Sequence, residues 1–363
     1  AMVKLTPAKQ YLREYYFIRE GALAYQENDM LAGLYYLNRL ALKYDRPLVL
    51  CVPLGGSLGG HNGTAPVCEE LEFYAGQKNR VVVTGTGNEA DKRHHYQGEP
   101  SGQKEREMVE LRIGPGVLGF QAEIWTDIPD VLAVSLYSPS GEQIQKVPIR
   151  QNSRNEYRFL LEQTTVIIDY RLLVERTNSE LIILRFINPA EGIWKIGLEP
   201  LQSIDGLFHI WLPVSDFLTG EVYFLRASPD ETILEPGSTP SAITASFYNW
   251  ENSVAVQSGR GYTRNRMIKP EFAVPGVNVT GAVPGGTFTE RSGSSAASAI
   301  AAGSAALLLQ WIIQDQKSQA SSAQVRNILI LGTRRIPGNE YPNRQWGYGT
   351  MDLYHTFEEI RQL

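Results

Sequence analysis

A change of texture along this chain, followed by a return, constrains its fold most. Residues 48–52 (Leu-Val-Leu-Cys-Val) and 80–84 (Arg-Val-Val-Val-Thr) are short, nearly continuous apolar runs. Helical periodicity precedes them. Met30, Leu34, Leu37 and Ala41 recur at helical spacing over residues 28–44, with Asn28 or Asp29 as the cap and Arg46-Pro47 as the stop. Continuous apolar strands alternating with helices belong to a parallel sheet buried on both faces. From about residue 105 to 230 the helical period disappears. Short runs at 131–137, 157–161, 181–187, 194–198 and 208–212 replace it, punctuated by Ser138-Pro139-Ser140-Gly141, Asn188-Pro189 and Asp205-Gly206. Strands of this length and spacing read as an antiparallel β-sandwich. After a loop at 229–240 the α/β character returns, with a long Ala-rich helix over 296–314. The fold class is therefore α/β: a mostly parallel sheet with flanking helices, interrupted by an inserted antiparallel β-sandwich. The divisions fall at 1–103, 104–235 and 236–363. Trp125, Trp194, Phe208 and Trp211 are read as buried core that stiffens the molecule, with a glycan-stacking surface as the alternative.

At 363 residues the chain can build two sizeable cores. A net charge of −5 without any basic stripe argues against nucleic acid and anionic membrane as partners. No apolar run approaches the roughly 20 residues of a membrane span. Of the two cysteines, Cys51 reads as a buried strand thiol and Cys68 as incidental, and a chain of this size needs no disulfide. Residues 1–5 show no signal-peptide pattern and read as a strand already inside a domain.

Chemistry concentrates around Gly293-Ser294-Ser295-Ala296-Ala297-Ser298-Ala299. A serine in a Gly/Ser turn that feeds a helix sits at the positive end of the helix dipole, where backbone N–H groups favour an oxyanion. The same pattern also serves as a plain N-cap. Asn88, in Thr86-Gly87-Asn88-Glu89 after an apolar strand, is either a polar site residue or a turn asparagine.

Four blocks together resemble the subtilisin-like serine proteases, the subtilases. Residues 293–303 are similar to G-T-S-x-A-A-P-x-x-A-G, which makes Ser295 the nucleophile. Residues 82–89 resemble the strand and turn that end in the oxyanion-hole asparagine, here Asn88 following Gly87. Ser258-Gly259-Arg260-Gly261 and Lys269-Pro270-Glu271-Phe272-Ala273-Val274-Pro275-Gly276-Val277 resemble the block around K-P-D-I-x-A-P-G-V, and residues 347–352 resemble the closing G-Y-G-x-x-D. The resemblance covers nearly everything outside 105–230 and implies a subtilisin-like fold. Pro53, Leu54 and Gly55 stand where the family has S-L-G, the edge that pairs with a protein or peptide substrate. Pro53 lacks the N–H of the usual serine, Cys51 replaces an asparagine common just before the segment, and Ser294 and Ala299 replace Thr and Pro. The β insertion, with residues 24–29 and 61–64, is most similar to clostridial spore-germination subtilases. These carry a jelly-roll insertion and activate a spore-cortex hydrolase by proteolysis. Their setting favours an extracytoplasmic or spore-associated location. Nothing in the blocks calls for a cofactor or metal.

In this family the order is Asp, His, Ser, with D-T-G or D-S-G and H-G-T-H blocks ahead of the serine. Neither block occurs here. His61-Asn62-Gly63-Thr64 follows the Leu54-Gly55 segment, on the wrong side of it for the triad histidine, and reads as a surface loop. His94 and His95 read as loop residues near the cleft rim, and His209 and His355 have no evident partner. Residues 2–5 resemble the strand after the histidine helix, so an N-terminal segment with Asp and His, covalent or separate, is the expected partner. The reading is a serine endopeptidase inactive without that segment. The alternatives are a pseudoprotease kept for binding or regulation, and a surface-binding scaffold.

Overall fold

The computed structural model describes residues 1–98, 106–202 and 204–361. At its centre lies a parallel sheet of four strands in the order Leu48–Val52, Arg80–Gly85, Ile243–Tyr248, Phe272–Pro275. The pleat sends alternate side chains to opposite faces. Val82 joins Leu50 and Val52 beneath the helices Glu27–Lys43 and Pro66–Ala75. Val81 and Val83 face the other way, into a core with Ala297, Ala301 and Ala305 of helix Ser294–Gln314. Burial on both faces is why these strands read as unbroken apolar runs. The same alternation corrects the cysteine reading: Cys51 turns away from Leu50 and Val52 and is exposed, whereas Cys68 is fully buried in its helix.

Helix Glu27–Lys43 begins one residue ahead of the expected caps, and Gln26 makes no side-chain cap. Glu27 and Asp29 in the first turn and Lys43 in the last complement the helix dipole instead. Residues 2–5 form no strand. They have no ladder partner; Val3 and Leu5 lie against Gly33 of that helix, where a β-carbon would sit 3.1 Å from Val3. The serine-bearing helix runs Ser294–Gln314 and, contrary to the sequence reading, is long and apolar enough to cross a membrane by length and composition. Its small-residue face packs on the parallel sheet, which a run of alanines permits by keeping the backbones close. The last helix, Leu353–Ile360, is capped by Asp352, which accepts the His355 N–H at 2.9 Å.

Two antiparallel sheets stack on each other around a second core. One has the order His95–Gly98, Phe208–Trp211, Gly119–Asp127, Ser179–Ile187, Thr165–Val174, Ser153–Arg158. The other runs Val222–Phe224, Glu107–Ile113, Gly192–Gln202, Val131–Tyr137, Gln143–Ile144. Trp194 and Phe208 are fully buried between them, with Phe120, Phe159 and Phe186. The expected strand at 157–161 lies earlier, at Ser153–Arg158. Its partner, Thr165–Val174, fixes that register, and Leu160 and Leu161 are left exposed in the turn. The expected boundary at 103/104 lies outside the described residues; sandwich pairing already includes His95–Gly98.

The outer face of the first sheet lies on the parallel-sheet part. Arg264 is buried and donates to Asp127 at 2.5 Å, to Ser179 at 2.7 Å and to the Gly60 carbonyl at 2.7 Å. Glu123 accepts the Gly59 N–H, and Ser57 donates to the Leu212 carbonyl. Trp125 and Trp211 are buried on this outer face, with Leu181 beside them. None of the four aromatics is set out for sugar stacking.

One sandwich residue makes stability pH-dependent. Glu180 is buried, one oxygen accepting the Leu132 N–H and the other without a partner, and burial raises its pKa to about 8. The folded form then holds this proton more tightly than the unfolded chain. The contribution is fully present below about pH 4.5 and is lost as pH rises through about 8. Urea unfolding of Glu180→Gln is expected to show a flatter pH dependence and a gain of a few kcal/mol above pH 8. Wild-type slope in the variant would contradict this.

Candidate active site

Gly293 precedes the serine helix at φ +133°, a conformation that suits glycine. A β-carbon there would lie 3.2 Å from the Asn88 amide oxygen. The helix start leaves its first N–H groups without intrahelical partners. Asn88 Oδ1 takes the first of them, from Ser294, at 3.0 Å. The next, from Ser295, has no backbone partner among the described residues. With Oδ1 held, the donor end of the Asn88 amide is left for a ligand. Ser294 Oγ is buried and accepts the Gly87 N–H at 3.1 Å, tying the turn to the helix. Gly87 sits at φ +83° with a β-carbon position only 2.4 Å from Leu234, so no larger residue fits. Ser295 is exposed, and its hydroxyl donates to the Pro53 carbonyl at 2.9 Å.

Pro53, Leu54 and Gly55 are exposed alongside. Beyond them Gly56 exchanges two 2.9 Å backbone hydrogen bonds with Glu235. Ser295, Asn88, Gly87 and these three residues all line one cleft of about 630 Å³. Two further walls were not expected from the sequence. Tyr11, Tyr16 and Leu23 come from the segment around helix Gln10–Tyr15, and Pro213, Val214 and Phe217 come from the connection between sandwich strands Phe208–Trp211 and Val222–Phe224.

None of the five histidines lines this cleft. His61 is buried, not a surface residue: its ring stacks on Trp211 at 4.0 Å, and its nitrogens face the Ile233 and Ser57 carbonyls. His95 opens a buried sandwich strand rather than a loop, and His94 contacts Glu89 at 3.2 Å. Glu89 also accepts the N–H and hydroxyl of Ser215, which anchors the Asn88 turn to the connection between sandwich strands Phe208–Trp211 and Val222–Phe224. His209 meets His95 and Glu231, and His355 meets the Gly332 carbonyl and Glu359.

Behind the cleft, Lys269 is almost wholly buried and donates to Glu271 and to the Ala242 carbonyl, both at 2.7 Å. Glu271 in turn accepts the Thr244 N–H at 2.7 Å, so the pair links the two neighbouring strands. Removing one member strands a buried charge. Lys269→Met is expected to cost about 3–5 kcal/mol in urea unfolding, and adding Glu271→Leu should recover most of it. Equal costs for the single and double variants would contradict the coupling.

A parallel sheet with a serine at a helix start, an asparagine turn and an exposed strand edge defines a subtilisin-like α/β protein. Residues 223–349 match the sequence model of the subtilase family. The structure resembles the CspB protease of Clostridium perfringens, with a TM-score of 0.86 and 27% identity over 94% of this chain and 72% of that one. The membrane-bound transcription factor site-1 proteases of Mus musculus and Homo sapiens are 28% and 27% identical over 134 residues. That match spans 35% of this chain and only 12% of those relatives. Within residues 223–349 the chain carries the sequence pattern of the subtilase family, and its fold is similar to that of a subtilisin-like protease.

Proposed function

We propose that this chain supplies the nucleophile, the oxyanion site and the substrate edge of a serine endopeptidase. An Asp- and His-bearing N-terminal segment, covalent or separate, completes it. The observation behind this reading is the convergence of Ser295, the Asn88 amide and the Pro53–Leu54–Gly55 edge in one cleft. A peptide laid along that edge presents its carbonyl to Ser295 Oγ. The incoming histidine replaces the Pro53 carbonyl as hydrogen-bond partner and takes the proton as the hydroxyl attacks. Asn88 and the Ser295 N–H receive the negative oxygen, helped by the dipole of a 21-residue helix. The substrate is a protein, in keeping with the spore-germination proteases that the chain resembles. The three-part division at 1–103, 104–235 and 236–363, with the sandwich as a jelly-roll insertion, belongs to the same reading. Its role there is to stiffen the cleft through the Arg264 and Glu123 contacts.

A fluorophosphonate serine probe tests the proposal. The chain alone should label weakly and the completed protein strongly, with labelling confined to Ser295. Strong labelling of the chain alone would mean that a base within it has been overlooked. No labelling of the completed protein would favour the pseudoprotease reading.

A further inference from the structure

Away from the cleft, the buried His95 and His209 and the largely buried Glu231 converge with a hydrogen bond between the two rings and several polar atoms left over. Strands His95–Gly98 and Phe208–Trp211 pair antiparallel, with His95 opposite Trp211 and His209 opposite Gln97. This register puts His95, His209 and Trp211 on the outer face of the sheet, while Tyr96, Phe208 and Ile210 fill the sandwich core. Glu231 reaches the same spot from the chain that returns to the parallel sheet. Its backbone is fixed by the Trp211 indole N–H on its carbonyl at 3.1 Å and by its own N–H on Gly261 at 3.3 Å.

His209 Nδ1 lies 3.1 Å from His95 Nε2 and 3.0 Å from Glu231 Oε2, and one ligand atom from each of the three residues falls within 4.8 Å of the other two. A ring nitrogen offers one proton or one lone pair along one in-plane direction, so it serves one of these neighbours well and fails the other. Glu231 Oε2, His209 Nε2 and His95 Nδ1 make no well-aligned hydrogen bond among the described residues, although the Ser228 and Asp230 backbone lies against the His95 ring. His95 and His209 are 1% and 2% exposed, too deep for solvent to make up the loss.

We propose that His95, His209 and Glu231 bind a divalent transition-metal ion of the zinc class. Two imidazoles and one carboxylate are a donor set that Zn²⁺ favours, and donors on a tetrahedral zinc stand about 3.3 Å apart. An ion accepts one lone pair from each atom, which resolves the conflict that a single proton cannot. Arg344 approaches the other Glu231 oxygen at 3.4 Å and orients it, as an outer partner of a ligating carboxylate does. Three protein ligands leave a position for water or a backbone carbonyl. The ion is a structural clamp: it joins two sandwich strands to a loop whose Leu234 and Glu235, three and four residues on, line the cleft.

The test is a Co²⁺ titration of the chelator-stripped protein, read by visible absorption and by thermal unfolding, with Zn²⁺ competition. One equivalent should bind with a four-coordinate absorption band and raise the Tm, and Zn²⁺ should displace it. Glu231→Gln should weaken binding at least tenfold, while His355→Gln should leave it unchanged. Folded, stripped wild-type protein that takes up no stoichiometric Co²⁺ or Zn²⁺ would overturn the proposal. The three side chains would then form only a strained hydrogen-bonded relay. Undiminished binding by Glu231→Gln, with its fold intact by circular dichroism, would place the ion elsewhere and overturn it equally. Neither readout needs peptidase activity, so failure here leaves the proposed function standing.

Discussion

If the proposed completed protein is a serine endopeptidase, Ser295→Ala is expected to lower its kcat by about 10⁶-fold, the scale of loss for the nucleophile in subtilisin. The adjacent hydroxyl cannot take over. Ser294, its neighbour, is buried with its oxygen held by the Gly87 N–H, so it cannot swing to the Pro53–Gly55 edge. What survives is the help that the oxyanion site and substrate binding give to water, about 10³–10⁴ over the uncatalysed rate. If the proposed Asp- and His-bearing segment supplies the base, the chain alone should lie near that floor even with Ser295 present, since among the described residues the Ser295 hydroxyl meets the Pro53 carbonyl and no histidine. Hydrolysis of a peptide substrate by the completed wild type and Ser295→Ala, measured side by side, checks this. A loss below about a hundredfold would show that Ser295 is not the nucleophile.

The parts of this molecule legible in sequence are those where local chemistry and tertiary role coincide. Residues 81–83 are apolar because both faces of their strand are covered, and Ala297, Ala301 and Ala302 are small because the serine helix must lie close to the sheet. Lys269 and Glu271 are readable as a block because each answers a partner two residues away. Residues whose partners are distant in sequence were misread. His61 looked like a loop histidine because Trp211, 150 positions on, is what buries it. His95, His209 and Glu231 show no ligand spacing, since strand pairing and a returning loop bring them together. The cleft walls at Tyr11 and Phe217 stayed hidden for the same reason: neither lies in a block that resembles the family.

Asn88→Leu is expected to lower kcat by about 10²–10³ with little change in KM, the loss found for the corresponding donor in subtilisin. The amide has two ends with different tasks, and this allows the cause to be isolated. Oδ1 accepts the Ser294 N–H and so helps fix the turn against the helix start, a contact worth about 1 kcal/mol of stability. Nδ2 is the end left to donate to the oxyanion. Asn88→Leu removes both functions, whereas Asn88→Asp keeps an acceptor for Ser294 and removes only the donor. If catalysis rests on the donor, Asp will be at least as damaging as Leu, because a carboxylate repels the developing charge. If Asn88 acts by shaping the turn, Asp will restore most of the rate. Thermal unfolding of the two variants separates the contributions: Asn88→Leu should lose more stability than Asn88→Asp even where their kcat values are alike. A rate for Asn88→Asp close to wild type would remove Asn88 from the oxyanion site and leave the Ser295 N–H and the helix dipole to hold the charge.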